Sequence, residues 1–286
     1  MKKIKHLLEF IFIIILFFIF KIIGSKNAST FGELIGRIFG PLFRSNFKIK
    51  KNLENSNIGD TDRDRKIIIN KMWGNYGRIL AEYISIKNYR QNDIRKNFEI
   101  VGQDILDKIK LDNKPVIFVS GHFNNFELMA MHLEKTGINL AAIYRPLNNK
   151  FLNPIMEKIR VKYICKKQIK KGLSGTKEIL RYFKKGFSVA LMIDQRVSEG
   201  IASNFFGKKA FTTTIPAQFV KKFNAKIIPV YIERLKNNDF KIKFYKPLIF
   251  DNNANTESIT HKLNQELEKM ILKNPEQWIW THNRWK

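Results

Sequence analysis

The sequence predicts an α/β protein with a mixed, largely parallel central sheet flanked by helices and with an N-terminal hydrophobic membrane-anchor helix. Two observations carry this prediction: a charge-free apolar run lies near the N-terminus, and strand and helix patterns alternate beyond residue 98. Hydrophobic residues make up 44% of the 286 residues, which is enough for a full core and argues against global disorder.

The N-terminal segment combines a basic start with an apolar run. Lys2, Lys3 and Lys5 precede the uncharged stretch 10–20, and the wider stretch 7–23 reaches the lower end of the about 17 to 25 residues that span a bilayer. A signal peptide, a transmembrane helix and an anchor that lies partly in the interface all fit this pattern. The basic start favours a cytoplasmic N-terminus.

Two further features favour an anchor that is retained. The single cysteine, Cys165, cannot form an intramolecular disulfide, which fits a reducing compartment better than secretion. The apolar positions of residues 31–43 predict a second helix that lies against a membrane. We therefore expect a membrane anchor at residues 1–25 and one folded domain at residues 26–286. Cys165 has no recognisable catalytic neighbours, so a structural role is favoured for it.

The remaining elements are predicted from periodicity. The polar stretch 46–64 predicts a loop, and helical spacing of apolar residues in 65–89 predicts a helix. Short apolar runs predict strands at 116–120, 138–144, 187–193, 227–234 and 240–250. Helical patterns predict helices at 126–134, 148–160, 175–185, 216–223 and 256–273. Ligands of parallel sheets collect at the carboxyl ends of strands, so the residues that follow these strands are candidates for a site.

The residues after the first of these strands carry the clearest chemical pattern. His122 follows the strand, and Glu127 lies five positions later in the stretch Gly-His-Phe-Asn-Asn-Phe-Glu. On one regular helix their side chains would be about 140° apart, so they can meet only if His122 lies in the turn and Glu127 in the following helix. Asn124 or Asn125 would then be the N-cap of that helix.

A histidine with a neighbouring carboxylate suits general-base catalysis. A carboxylate bonded to one imidazole nitrogen leaves the other nitrogen free to take a proton from a substrate hydroxyl. The same spacing also fits a histidine that only satisfies hydrogen bonds at a strand end.

The charge of the chain indicates an anionic partner. The 52 lysines and arginines against 25 aspartates and glutamates give a net charge of +27, which suits nucleic acid, anionic lipid or an acidic carrier protein. A nucleic-acid-binding protein would carry exposed aromatic residues on a basic face, but the sequence has no recognised nucleic-acid motif and has a hydrophobic N-terminus. No residue cluster has the spacing of metal ligands.

A resemblance to a known family extends over nearly the whole chain. The stretch 119–128 resembles the lipid A late acyltransferases, the lauroyl/myristoyl transferases of the lysophospholipid acyltransferase superfamily, which typically carry Gly-His-Phe-Gly-Asn-Trp-Glu there. Tyr-Arg-Pro at 144–146 and Asp-Gln at 194–195 also match. The closing stretch 275–286, Pro-Glu-Gln-Trp-Ile-Trp-Thr-His-Asn-Arg-Trp-Lys, is similar to the closing signature of the family.

The resemblance implies an enzyme that moves a fatty acyl chain from acyl carrier protein, or from acyl-CoA, to a hydroxyl of a lipid A precursor glycolipid. It implies His122 and Glu127 as the catalytic pair and no metal or redox cofactor. The substrate-binding residues that it implies are Arg145, Asp194, Asn125 and Gln195. A guanidinium suits phosphate or carboxylate groups on the acceptor, and Asp194 would orient either Arg145 or the acceptor. The family usually has Gly and Trp where this chain has Asn124 and Phe126.

The expected partners are acyl carrier protein, the glycolipid acceptor and the anionic membrane surface, not nucleic acid. All three are acidic, so a basic protein face would attract them. We expect an enzyme at the inner (cytoplasmic) membrane with its catalytic domain on the cytoplasmic side. An acyltransferase of the same superfamily that acts on a lysophospholipid, an ornithine lipid or a mannosylated lipid would share the fold, His122 and Glu127, so the acceptor stays open at this point.

Overall fold

The computed structural model describes residues 2–91, 98–236, 239–251 and 253–285. Its strands are, in chain order, β1 (Phe98–Val101), β2 (Ile117–Ser120), β3 (Leu140–Tyr144), β4 (Lys167–Lys170), β5 (Ser188–Met192), β6 (Ile201–Phe205), β7 (Lys208–Thr212), β8 (Ile227–Arg234) and β9 (Phe240–Phe244). Seven of them form one sheet in the order β1-β9-β8-β2-β5-β3-β4, and β6 pairs with β7 in a separate antiparallel hairpin.

Helices cover the sheet. They are α1 (Lys2–Phe43), α2 (Asn46–Asn55), α3 (Asp62–Glu82), α4 (Ile86–Gln91), α5 (Gln103–Asp112), α6 (Glu127–Lys135), α7 (Leu152–Ile159), α8 (Leu173–Lys184), α9 (Ile215–Phe223) and α10 (Thr256–Lys273). Short helical segments of the 3₁₀ or π type lie at Tyr83–Ser85, Arg160–Ile164 and Pro275–Gln277.

The predicted α/β architecture is confirmed. Neighbouring strands of the large sheet are parallel except for β8 and β9, which run antiparallel. The central strands β2, β5 and β8 are almost wholly buried, because helices cover both faces of a parallel sheet. The bounds predicted for β8 and α10 agree with the structure residue for residue. The strand predicted at 240–250 is shorter, since β9 ends at Phe244.

The polar stretch 46–64 is not the loop that the sequence predicted, because α2 occupies its first half. Ile49, Asn52 and Leu53 form a short buried stripe, while the other positions are mostly polar. A stripe of three residues gives a weak periodic signal, so the polar composition of the stretch led to the wrong prediction of a loop. Residues 31–43 are helical as predicted, and a non-helical kink at Gly24 separates the part of α1 that holds them from its N-terminal part.

The N-terminal helix α1 is the candidate membrane anchor. Among the described residues it is the helix that is long and apolar enough to cross a membrane, and 11% of its most apolar window is buried. Its path bends at Gly24, whose φ of 78° lies in the left-handed region where glycine is favoured. The exposed large apolar side chains of α1 are Ile4, Leu7, Leu8, Ile11, Phe12, Ile14, Ile15, Phe18, Ile22, Phe31, Leu34, Ile38, Phe39, Leu42 and Phe43.

The opposite side of α1 packs on the catalytic domain. Leu16 and Phe20 are buried in a cluster with Ala28 and Ala81, and Phe10 lies 6.0 Å from the ring of Phe151. The helix therefore has one face in contact with protein and one apolar face without a protein partner among the described residues. The domain boundary predicted after residue 25 lies next to the bend at Gly24, but α1 remains helical beyond it.

Three glycines allow α1 and α3 to approach closely. A Cβ on Gly77 would lie 1.9 Å from the backbone oxygen of Gly32 and 2.8 Å from Cα of Gly36. These contacts involve backbone atoms, so no side-chain rotation can relieve them. Small residues at such a crossing let two helices pack backbone to backbone, as they do in membrane helix pairs.

Gly77→Ala is expected to lower the free energy of unfolding by about 2 kcal/mol, because overpacking against backbone outweighs the gain in helix propensity. Chemical denaturation in detergent measures this change. Gly74→Ala is the matched control on the same helix, since its Cβ would meet the flexible side-chain atoms Glu33 Cγ at 2.9 Å and Arg37 Nε at 3.0 Å. Equal stability of the two variants would contradict the proposed close packing.

Candidate active site

The register of two central strands brings His122 and Asp194 together. Ser120 at the end of β2 is paired with Met192 at the end of the parallel strand β5. His122 and Asp194 each lie two residues beyond this pair, so parallel strands deliver them side by side at the carboxyl edge of the sheet. His122 Nδ1 lies 2.8 Å from Asp194 Oδ1, and the backbone N–H of His122 donates to Asp194 Oδ2 at 2.7 Å.

Asp194 is a buried carboxylate that stays ionised. Its side chain is 0% exposed, and the indole N–H of Trp278 donates to Oδ2 at 2.7 Å. Burial alone would raise the pKa of Asp194, but the imidazole of His122 and the hydrogen bonds from His122 and Trp278 hold it well below the usual range. A carboxylate accepts only, so the proton on His122 resides on Nδ1 and the lone pair is on Nε2.

The Nε2 side of His122 faces Gln195 and a second histidine. The side-chain nitrogen of Gln195 lies 3.2 Å from His122 Nε2 and 2.8 Å from His282 Nε2, so one amide group serves both rings. Burial, with His122 next in effect, lowers the pKa of His282 to about 4, so this ring is neutral at physiological pH. The ring of Phe126 packs edge-on against the ring of His122 with centroids 4.6 Å apart.

Glu127 does not bond to His122, which corrects the predicted pairing. Its Oε1 accepts from Arg160 Nε at 2.7 Å and from the hydroxyl of Tyr83. Burial raises the pKa of Tyr83, and the adjacent charge of Glu127 raises it further. Glu127 is the first residue of α6, and its side chain bonds to the short helical segments Tyr83–Ser85 and Arg160–Ile164. The strand register gives His122 a nearer carboxylate.

The two asparagines of the motif shape the backbone instead of capping α6. The residue before the helix is Phe126, and no side chain caps it. Asn124 has φ of 43°, a left-handed conformation that asparagine tolerates and glycine adopts freely, which accounts for Asn at a position where the family usually has Gly. Its backbone N–H donates to Gln277 at 3.0 Å, so this amide is not free to bind an oxyanion.

Asn125 lies away from the predicted substrate contact. Its side chain is 0% exposed and donates to Glu82 Oε2 at 3.1 Å, while Glu82 also accepts from Arg234. The residue therefore fixes the turn between β2 and α6. Arg145 is exposed and lies near His282. Burial and His122 lower the pKa of His282 most, and the charge of Arg145 lowers it a little further. Asp194 bonds to His122 and Trp278, so it does not orient Arg145 as expected.

Sequence reasoning missed several residues that build this site. Tyr83 and Arg160 surround Glu127, whereas Trp278 and His282 reach Asp194 and Gln195 from the chain end. The closing stretch 275–286 gave the only signal for the last two, as part of a resemblance without assigned roles. Their contacts join segments far apart in sequence, which no local pattern records.

Among the residues that the structure describes, no group of three or more His, Cys, Asp or Glu side chains is arranged so that it could hold a metal ion. Cys165 is buried, and burial raises the pKa of its thiol to about 12. A thiol with that pKa stays protonated and is a poor nucleophile at neutral pH, as the structural role favoured for it requires.

A histidine bonded to a buried carboxylate at the end of a parallel strand is an arrangement that many enzyme sites use. The family and the relatives of this chain are named acyltransferases, so this protein is an acyltransferase. The chain belongs to the bacterial lipid A biosynthesis acyltransferase family, whose sequence model matches residues 1–286.

Relatives match most of this chain, and those with a named acyl group differ in that group. The lipid A biosynthesis palmitoleoyltransferase of Escherichia coli strain K12 is 25% identical over 261 residues, covering 89% of this chain and 83% of the relative. The lipid A biosynthesis lauroyltransferase of the same strain is 22% identical and covers 83% of this chain and 78% of the relative. A lipid A biosynthesis acyltransferase of Haemophilus influenzae is 25% identical, with coverage of 88% and 83%.

Glu127→Gln is expected to lower the free energy of unfolding by about 3 kcal/mol, because it leaves the buried guanidinium of Arg160 without its carboxylate. Denaturant titration monitored by tryptophan fluorescence measures this loss. Glu178→Gln is the matched control, since its 3.8 Å pair with Arg181 is exposed and should contribute less than about 1 kcal/mol. Similar losses in both variants would show that the Glu127–Arg160 pair does not stabilise the fold.

Proposed function

We propose that this protein transfers a fatty acyl chain from acyl carrier protein, or from CoA, to a hydroxyl of a lipid A precursor glycolipid, with His122 as general base and Asp194 as its orienting carboxylate. The observation that carries the proposal is the 2.8 Å contact of His122 Nδ1 with the buried Asp194 carboxylate. Membership of the lipid A acyltransferase family supplies the reaction class and the acceptor class.

The proposed reaction is direct acyl transfer. His122 Nε2 takes the proton of the acceptor hydroxyl, replacing its 3.2 Å contact with the Gln195 amide. The alkoxide oxygen attacks the thioester carbonyl, forms the new ester bond and expels the thiolate, which receives the proton from His122. The half-buried Gln195 amide beside Nε2 is placed to donate to the tetrahedral oxyanion. The scheme uses no metal and no redox cofactor.

The role of Asp194 follows from electrostatics. When His122 takes a proton, a positive charge forms next to a carboxylate that burial shields from water, so the attraction is strong. The same carboxylate holds the ring by two contacts, one to Nδ1 and one to the backbone N–H. Glu127 then serves as a positioning residue, because it joins the first turn of α6 to Tyr83 and Arg160.

Membrane attachment and carrier-protein binding complete the proposal. The unpartnered apolar face of α1 suits a bilayer, and the net charge of +27 suits both an anionic membrane surface and an acidic acyl carrier protein. We place the enzyme at the inner membrane with its catalytic domain on the cytoplasmic side, where acyl thioesters are available.

Asp194→Asn is expected to lower kcat by about three to four orders of magnitude while KM changes little. This decrease is similar to the one seen in serine proteases when the aspartate that orients the catalytic histidine is replaced by asparagine. The amide then donates to the ring and favours the wrong tautomer of the histidine. Acyl transfer to a lipid A precursor, followed by mass spectrometry of the product, measures the change. Asp107→Asn, which removes an exposed carboxylate from α5, is the control.

The proposed base is tested in the same assay with His122→Gln. Its turnover should fall at least as far as that of Asp194→Asn, while circular dichroism and membrane association stay unchanged. Wild-type turnover in either variant would refute the proposed roles. A wild-type enzyme that acylates a lysophospholipid and leaves the glycolipid untouched would refute the proposed acceptor.

A further inference from the structure

A cavity of about 570 Å³ opens beside the proposed base. The N-terminal turns of α1 line one side with Lys5 and His6, and Arg44 follows the end of the same helix. Tyr76 of α3, Asn148 and His282 line the remainder. His282 is joined to His122 through Gln195, with 2.8 Å and 3.2 Å contacts, so a molecule in this cavity lies next to the base.

The charges around the cavity are mainly positive. Arg44 is exposed and has no carboxylate within ion-pair distance among the described residues. Lys5 is 75% exposed and has a weak contact of 3.9 Å with Glu9, the carboxylate that lines this cavity. Arg145 is also near this opening. Burial and His122 lower the pKa of His282 most, and the positive charge of Arg145 adds a smaller decrease. An anionic group would therefore be attracted to this opening.

The other lining groups suit a sugar. Tyr76 is 43% exposed and lines the cavity, so its ring is available for contact with the C–H groups of a sugar ring. Asn148 and Thr281 supply amide and hydroxyl groups for sugar hydroxyls. A fatty chain in the same cavity would remove water from Arg44 and Lys5 without compensation, which is costly for cations. The lining therefore favours a polar head group over an acyl tail.

The place of the cavity in the molecule agrees with this chemistry. Asn149 holds the first turns of α1 by donating to the His6 carbonyl oxygen at 2.8 Å and to Glu9 at 3.1 Å. The exposed apolar side of α1 would lie in the membrane, so the cavity that α1 lines would open at the lipid surface. Head groups of glycolipids lie at that depth.

We propose that this cavity binds the phosphorylated sugar head group of the acceptor, with Arg44 and Lys5 contacting its phosphate, so that the anchor helix forms part of the acceptor site. The inference rests on the proposed function and adds the place and chemistry of acceptor recognition. It gives the N-terminal helix a direct role in substrate binding, beyond attachment to the membrane.

The first test measures binding without turnover, using the full chain in detergent and glucosamine 1-phosphate as the probe. Isothermal titration should show binding that Arg44→Gln weakens about tenfold, roughly the loss of one partly buried charge contact. Arg44→Lys should keep most of the affinity. Lys21→Gln, on the same helix and outside the cavity, should bind as the wild type does. No binding by the wild type, or equal binding by Arg44→Gln, would overturn the proposal.

A second probe separates sugar recognition from simple attraction of an anion. Inorganic phosphate should bind more weakly than the sugar phosphate, because it cannot use Tyr76 and Asn148. Equal affinities for the two probes would overturn the sugar part of the proposal. This measurement needs no catalysis, so it stands apart from the proposed reaction.

The third test uses acyl transfer with acceptors that carry two, one or no phosphate groups. Arg44→Gln and Lys5→Gln should raise KM for the phosphorylated acceptors about tenfold and leave kcat and the KM of the phosphate-free acceptor unchanged. Unchanged discrimination in both variants would refute the site. Failure of the wild type to acylate any of these glycolipids, with probe binding intact, would refute the proposed function and leave the head-group site standing.

Discussion

The buried carboxylate of Asp194 is the constraint on which the rest of the structure depends. An ionised group that is buried away from water must be surrounded by donors, and this one receives them from the backbone and the ring of His122 and from the indole of Trp278. The donors come from two distant segments, the turn after β2 and the chain terminus, and the carboxylate itself follows the end of β5. The sheet, the catalytic turn and the last residues must therefore assemble together.

The closing segment is tied to this centre by more than one contact. Trp278 forms a bridge with Phe123, and the Asn124 side chain donates to Gln277 at 2.6 Å. Asn52 of α2 donates to the carbonyl oxygens of Trp280 and His282, which fixes the loop that carries the second histidine. The tryptophan-rich closing segment therefore holds the turn that carries the proposed base, by hydrogen bonds as well as by packing.

The sequence predicted the elements that local patterns define, and it failed where contacts join residues far apart in the chain. Short runs of apolar residues predicted β2, β5 and β8, and helical periodicity predicted the bounds of α10. Both signals come from residues that are close in sequence. The hairpin of β6 and β7 and the helix α2 were not predicted, since their apolar patterns are short. The partner of His122 was predicted as Glu127 because they are near in sequence, whereas the register of β2 and β5 selects Asp194. Only the paired sheet reveals that choice.

The contacts of the N-terminal helix bear on how it could attach to a membrane, a question that its composition left open. A helix that crosses a bilayer independently needs every face in lipid, but Phe10, Ile13 and Phe17 pack on Leu152 and Ile279 of the catalytic domain. Removing α1 into lipid would expose that cluster and open the glycine contact with α3, at about 25 cal/mol for each Å² of apolar surface uncovered to water. The proposed membrane attachment therefore leaves least apolar surface exposed when α1 stays on the domain and its outer face lies in the membrane. In that proposal, membrane binding is coupled to assembly of the cavity next to His282, because α1 contributes to both.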